Sequence, residues 1–159
     1  MLPAPVRKYL LTSVASAPEV LEALVEGISA TDSVWDVRPY ADRFTLREVV
    51  AHLADWEPIH KERIERILNE DEPTLPDMDE GQMAIDNDYA HQDPINCLKR
   101  YREGRKVVAD LLKSLSPEQC ERAGIRPPNI GRLDLDQFAT FIFAHDGYHL
   151  QQAAEYRKG

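Results

Sequence analysis

Phe138-Ala-Thr-Phe-Ile-Phe-Ala-His145-Asp-Gly-Tyr-His149-Leu-Gln-Gln152 is the stretch on which the reading of this 159-residue chain turns. Its apolar residues do not alternate as in a half-buried strand. Phe138, Phe141, Ile142, His145, His149, Gln152 and Tyr156 instead recur at intervals of three and four, the signature of one helix face. Asp134, with Gln137 three residues on, supplies a cap, so a helix is expected from there to about Tyr156. His145 and His149 are one turn apart on the stripe that must face a core, so both imidazoles can reach one metal ion. Asp146 stands where an H-E-x-x-H metalloprotease has its glutamate, which sets that chemistry aside. The spacing alone also occurs in pairs of histidines that bind nothing.

The rest of the chain supplies partners for such a helix. Thr45-Leu-Arg-Glu48 reads as a capping box opening a helix to about residue 68, with Leu46, Val49, Leu53, Trp56, His60, Ile64 and Ile67 on one stripe. Pro58 lies inside it and predicts a kink, because proline lacks an amide hydrogen and crowds the carbonyl four residues back. Asp93-Pro94 opens a further helix with Ile95, Leu98, Tyr101, Val108, Leu111, Leu112 and Leu115 as its core face. The first helix is expected over residues 7–28 with an interruption at Pro18, where Ser16-Ala-Pro-Glu19 resembles a capping box. Leu21, Leu24, Val25 and Ile28 form its stripe. Ser116-Pro-Glu-Gln119 adds a short capped turn, and strand signals are nearly missing. The fold class is therefore all-α, a four-helix bundle in a single domain over residues 1–159.

His52 sits about 60° around the wheel from Val49, at the edge of the second helix's buried stripe. From there it can reach across an interhelical groove to His145 and His149, and bundle metal sites are built from facing helices in this way. Three imidazoles leave at least one coordination position open, which suits catalysis better than structure.

Composition narrows the function. The hydrophobic fraction is 43% and the charged fraction 30%, a globular profile. No basic n-region precedes an apolar run at the N-terminus, and the most apolar stretch, 138–144, is far below the roughly 20 residues of a membrane span. The two cysteines, Cys97 and Cys120, form no paired motif, so a cytoplasmic, reducing setting is expected. Net charge is -9 and no Lys/Arg cluster stands out, which argues against nucleic acid. The excess is local: Glu70, Asp71, Glu72, Asp77, Asp79, Glu80, Asp86, Asp88 and Asp93 face no base in that interval, whereas 19 acids meet 19 bases elsewhere. This long acidic connection between the second and third long helices is expected to be solvated, with a short helix around 81–89.

Two motifs, Phe44-Thr-Leu-Arg-Glu-Val-Val-Ala-His52-Leu-Ala-Asp-Trp56 and His145-Asp-Gly-Tyr-His149-Leu-Gln-Gln152, resemble the motif-bearing helices of the DinB-like superfamily. The loop 35–44 with Arg38-Pro39, and the helix from Pro94 through Gly104-Arg105 to Leu115, are similar too. The likeness is weakest between residues 70 and 93. The resemblance implies a bundle with one histidine on the second helix and two on the fourth, matching His52, His145 and His149. It implies a divalent metal, nickel or zinc first and manganese or iron as alternatives. It also implies a homodimer, and the 138–144 run, apolar on nearly all sides, agrees. The family includes thiol-dependent transferases that use bacillithiol or mycothiol. A metal-dependent thiol S-transferase acting on a small-molecule thiol and an electrophile is thus the leading expectation. A metal-dependent hydrolase and a non-catalytic, stress-related metal-binding bundle are the alternatives.

Other polar residues carry open readings. His60 reads as a core or rim histidine and His91 as a solvated one. Asp55 and Asp146 could accept from the ligand imidazoles, face solvent or form salt bridges. Gln152 could bond a metal-bound water or mark the polar boundary of the helix. Gly147 suggests a close helix approach, and Cys97 and Cys120 read as small apolar fillers.

Overall fold

The computed structural model describes residues 2–156. Six helices, α1 (Ala4–Leu24), α2 (Leu46–Asn69), α3 (Glu80–Asp86), α4 (Pro94–Ser114), α5 (Pro117–Cys120) and α6 (Leu135–Tyr156), are joined by a two-stranded antiparallel ribbon, β1 (Ala123–Arg126) and β2 (Gly131–Asp134). Single 3₁₀ turns occupy Ser33–Asp36 and Tyr89–His91. The caps form as their residues require. Thr45 and Glu48 exchange bonds at the start of α2, Ser116 and Gln119 at α5, and Asp134 and Gln137 at α6. Asp93 accepts from the Asn96 amide ahead of Pro94.

Around the bundle, α1 packs on α4 and α6, and α2 packs on the same two. Helices α1 and α2 therefore lie on one diagonal and α4 and α6 on the other. Each diagonal step needs a long connection: 25–45 makes the first, and α5 with the ribbon makes the second.

Several expectations need correction. Helix α1 starts earlier, behind Pro3, ends at Leu24, and runs straight through Pro18. Proline at that position leaves the Val14 carbonyl without its helical donor. The buried Arg105 supplies one instead, Nη1 donating to Val14 O at 3.0 Å. Helix α2 is continuous across Pro58, as the expected span requires. The ribbon was not expected; its four-residue strands flank a Pro-Pro-Asn-Ile turn, and Ile125 also bridges to Thr74, which anchors the acidic segment. Leu75 of that segment is fully buried, so the connection is only partly solvated. Ile95 of the expected α4 face is exposed.

The apolar core falls into two clusters. One gathers Leu21, Trp35, Val49, Leu53, Tyr101 and Tyr156, the other Val14, Ile64, Ile67, Val108, Phe138 and Ile142. Along α2, α4 and α6 the stretch between the clusters carries buried polar residues: His52, Glu57, His60, Arg63, Arg105, Asp146, His149 and Gln152. The bundle thus has a polar waist between two apolar ends. Among the described residues no helix is long and apolar enough to cross a membrane.

Candidate metal centre

Helix α2 brings His52 and the adjacent α6 brings His145 and His149 to one point in this waist. Ring centroids lie 4.6 Å apart for His52–His149, 4.6 Å for His145–His149 and 5.1 Å for His52–His145. One ring nitrogen from each falls within 4.8 Å of the others, and the two Nε2 atoms of His52 and His145 are 3.0 Å apart. Nitrogens held about 2.1 Å from a shared ion lie about 3.0–3.4 Å from one another, depending on geometry. The His52–His145 pair is therefore already at the edge length of a coordination polyhedron, with the His149 nitrogen within 4.8 Å of both.

Its protonation suits the same role. Burial, helped by the neighbouring imidazoles, pushes His52 down to about 2 and His145 to about 3; burial alone pushes His149 to about 4. All three are neutral at pH 7 with lone pairs to give. Gln152 Oε1 lies 2.7 Å from His149 Nδ1. An amide oxygen only accepts, so Nδ1 carries the hydrogen and Nε2 is left free toward the cluster. The Gln152 amide nitrogen in turn donates to Tyr148 Oη at 3.3 Å. Gln152 thus orients an imidazole, a role the sequence reading did not give it. His52 Nδ1 and His145 Nδ1 have no partner. Three convergent neutral imidazoles, one held in its tautomer, fit a divalent ion.

The remaining sequence candidates divide. His60 is fully buried 6.2 Å from the His145 ring centroid, outside the cluster, and neither of its nitrogens is bonded. His91 is exposed beside Asp88. Asp55 bonds Asn87 and Arg100, and Asp146 bonds Arg105, so neither supports a ligand imidazole. Both cysteines are buried with thiols raised chiefly by desolvation, and Cys97 donates to Gln92 Oε1. A cleft of about 260 Å³ opens beside His149, lined by Asp42, Arg43, Phe44, Glu80, Tyr148 and Gln152. Glu80 comes from the acidic segment, and desolvation, with Asp77 nearby, raises its carboxyl.

Arg105, Glu57 and Asp146 form a second buried group; the sequence reading allowed Asp146 a salt bridge but named neither partner. Arg105 Nε donates to both Glu57 oxygens at 3.1 Å, Nη2 reaches Glu57 at 2.6 Å and Asp146 at 3.0 Å, and Nη1 also bonds Asp146. The signal was present: Arg105 lies on the stripe of Tyr101, Val108 and Leu112, and Asp146 on that of Ile142, His149 and Ala153.

Comparison with known proteins agrees with this geometry. The chain is 29% identical over 139 residues to YfiT of Bacillus subtilis, a proposed metal-dependent hydrolase; the match covers 87% of this chain and 76% of that protein. The solved structure of YfiT, described as having an unusual four-helix bundle topology, superposes with a TM-score of 0.91 at 23% identity, covering 99% of this chain and 89% of that one. The family model of the DinB superfamily matches residues 14–153, and the chain belongs to that superfamily.

Proposed function

We propose that the chain is a metal-dependent hydrolase whose divalent ion is held by His52, His145 and His149. The observation that carries this is the cluster itself, three neutral imidazoles converging beside a polar cleft. When bound, such an ion supplies Lewis acidity, acidifying a ligating water and polarising a substrate oxygen. The chain's own residues supply the rest. Gln152 fixes His149 for ligation. Glu80 lines the cleft and is the carboxyl placed to exchange a proton with a leaving group. Arg43 lines the same cleft and can steady negative charge that develops on the substrate. Phe44, 5.3 Å from His52, and Trp56, 5.9 Å from it, keep bulk water off the inner side. The relative's description points the same way.

The test is turnover of a panel of simple esters and amides by protein loaded separately with zinc, nickel, manganese or iron. Activity should vanish with chelator and in His52→Ala, and fall in Glu80→Gln while the metal stays bound. Hydrolysis unchanged in His52→Ala would reject the proposal.

The aromatic faces of Phe44 and Tyr148 in the cleft favour a second reading, thiol S-transfer, because a polarisable thiolate and an aromatic electrophile both sit well there. Bacillithiol, mycothiol and glutathione, each offered with monochlorobimane, would report it. The rate should survive Cys97→Ser and Cys120→Ser, since both thiols are buried and raised. Silence in both screens, with metal bound, would leave the non-catalytic bundle.

A further inference from the structure

Arg63 and Arg126 are each only 3% exposed, and the metal centre does not use them. Arg63 follows His60 on α2 by one turn; Arg126 ends β1. Both guanidiniums lie over aromatic rings, Arg63 at 5.1 Å from the Trp56 centroid and Arg126 at 4.5 Å from that of Phe141. Those two rings also neighbour His145, at 5.5 and 6.3 Å. Two cations therefore flank the His145 edge of the cluster. They are close enough to feel each other: burial first, and then the Arg126 charge, lowers Arg63 to about 10.

Their hydrogen bonding is incomplete. Arg63 Nη2 donates to Pro76 O at 2.7 Å and Arg126 Nη2 to Asp77 Oδ1 at 2.6 Å. Among the described residues, Arg63 Nη1, Arg126 Nε, Arg126 Nη1 and the adjacent Trp56 Nε1 are buried without an acceptor. Folded proteins seldom leave buried donors unpaired, and charged ones least of all. Asp77 is the carboxylate bonded to this pair, its side chain 56% exposed. Glu62 near Arg63 and Glu80 near Arg126 act only through their charge and offer no acceptor to either guanidinium. His60, within electrostatic reach of both guanidiniums, is kept neutral and adds no negative charge. The cluster lacks an anion with several acceptor atoms, and a carboxylate or phosphate group has that chemistry.

We propose that Arg63 and Arg126, with Trp56 Nε1, form an oxyanion subsite that takes a carboxylate or phosphate of the substrate handled at the adjacent metal centre. That the anion belongs to a substrate rests on the function proposed above; the anion site itself does not. The subsite also gives the acidic segment a task, because Pro76 and Asp77 bind the outer nitrogens of both arginines and hold them inward.

Anion binding is measured by calorimetry on metal-free protein and on His52→Ala, with sodium acetate and inorganic phosphate at an ionic strength fixed by sodium chloride. Saturable binding of acetate or phosphate to both proteins is expected, and the preferred one names the substrate's anionic group. Arg63→Gln and Arg126→Gln should each weaken it about tenfold or more. Should a glutamine variant fail to fold by circular dichroism, Arg63→Lys and Arg126→Lys, which keep the charge but lose the fork, are expected to bind several-fold more weakly. No saturable binding of either anion, or equal binding by the arginine variants, overturns the subsite. Because His52→Ala carries no metal activity, anion binding there separates the failure of this proposal from that of the hydrolase.

Discussion

Two buried polar groups share the waist of this bundle, built from neighbouring residues of the same helices. Trp56 and His145 belong to one; Glu57 and Asp146, next to them in sequence, belong to the other. In the Arg105 group every guanidinium nitrogen is bonded, to Glu57, Asp146 or Val14 O. In the region of His52, His60, Arg63, Arg126 and His145, seven ring and guanidinium nitrogens have no partner among the described residues. Burial costs both groups alike. Saturation marks the first as architecture, since nothing remains to offer a ligand. The second keeps its valence unspent, as a site must. Substitutions in the two regions should therefore fail in different ways.

The largest effect is expected in the open group. His145→Ala and His149→Ala should each abolish stoichiometric metal binding by elemental analysis, while the metal-free protein stays folded. His60→Ala should keep its metal. Loss of metal in His60→Ala with retention in His149→Ala would reverse the assignment.

Next in size is the closed group. Arg105→Ala should cost about 3–5 kcal/mol in urea unfolding, because it strands two buried carboxyls and the Val14 carbonyl at once. Burial already pushes Glu57 up to about 7, so part of the loss can be relieved by protonation and should be smaller at pH 6 than at pH 8. A cost below about 1 kcal/mol would erase the distinction between the groups.

Acid should separate them as well. His52, His145, His149 and His60 all have folded pKa values below the ordinary 6.5. Below pH 6.5 the unfolded chain binds protons that the fold refuses, so their contribution is present above that value and lost as pH falls. Glu57 works in the opposite direction, its raised carboxyl binding a proton more readily in the fold. Four imidazoles outweigh one carboxyl, and the net loss for metal-free protein should be about 3 kcal/mol between pH 6.5 and 5.5. Saturating zinc should move this loss to lower pH. A metal-free protein whose urea midpoint is flat over that interval would mean that the imidazoles are not buried neutral.

Much of this was legible in the sequence, for identifiable reasons. The caps at Thr45, Asp93, Ser116 and Asp134 are local chemistry, and local chemistry reads directly. Every residue on the expected α2 stripe is buried. Spacing singled out His145 and His149 and a stripe-edge position His52, but it was the family resemblance that joined the three, and the structure brings their rings together. What escaped depended on distant partners. The break expected at Pro18 does not occur because Arg105, far along the chain, supplies the missing donor. Arg63 falls between His60 and Ile67 on the buried stripe, yet a cation there reads as solvated until Pro76 O is seen to hold it. Arg126 escaped because strands of four residues beside two prolines leave no alternation to find.

The smallest effects come from two glycines, one against each kind of surface. A Cβ at Gly104 would lie 2.5 Å from Glu57 Cβ and 2.9 Å from its Cγ, at the root of a side chain that Arg105 holds in place. Gly104→Ala should therefore cost about 1–3 kcal/mol. At Gly147, by contrast, an added Cβ would meet nothing within 4 Å among the described residues, so the close helix approach expected there is not made by them. Gly147→Ala should stabilise the protein by about 0.5–1 kcal/mol through helix propensity alone. One circumstance would change that sign. Gly147 follows Phe143 by one turn, and Phe143 is 45% exposed. In the homodimer that the family resemblance implies, pairing through this face would bring a second copy against Gly147. A monomer by light scattering, with Gly147→Ala stabilising, would reject the dimer; a dimer weakened by Gly147→Ala would place its contact on α6.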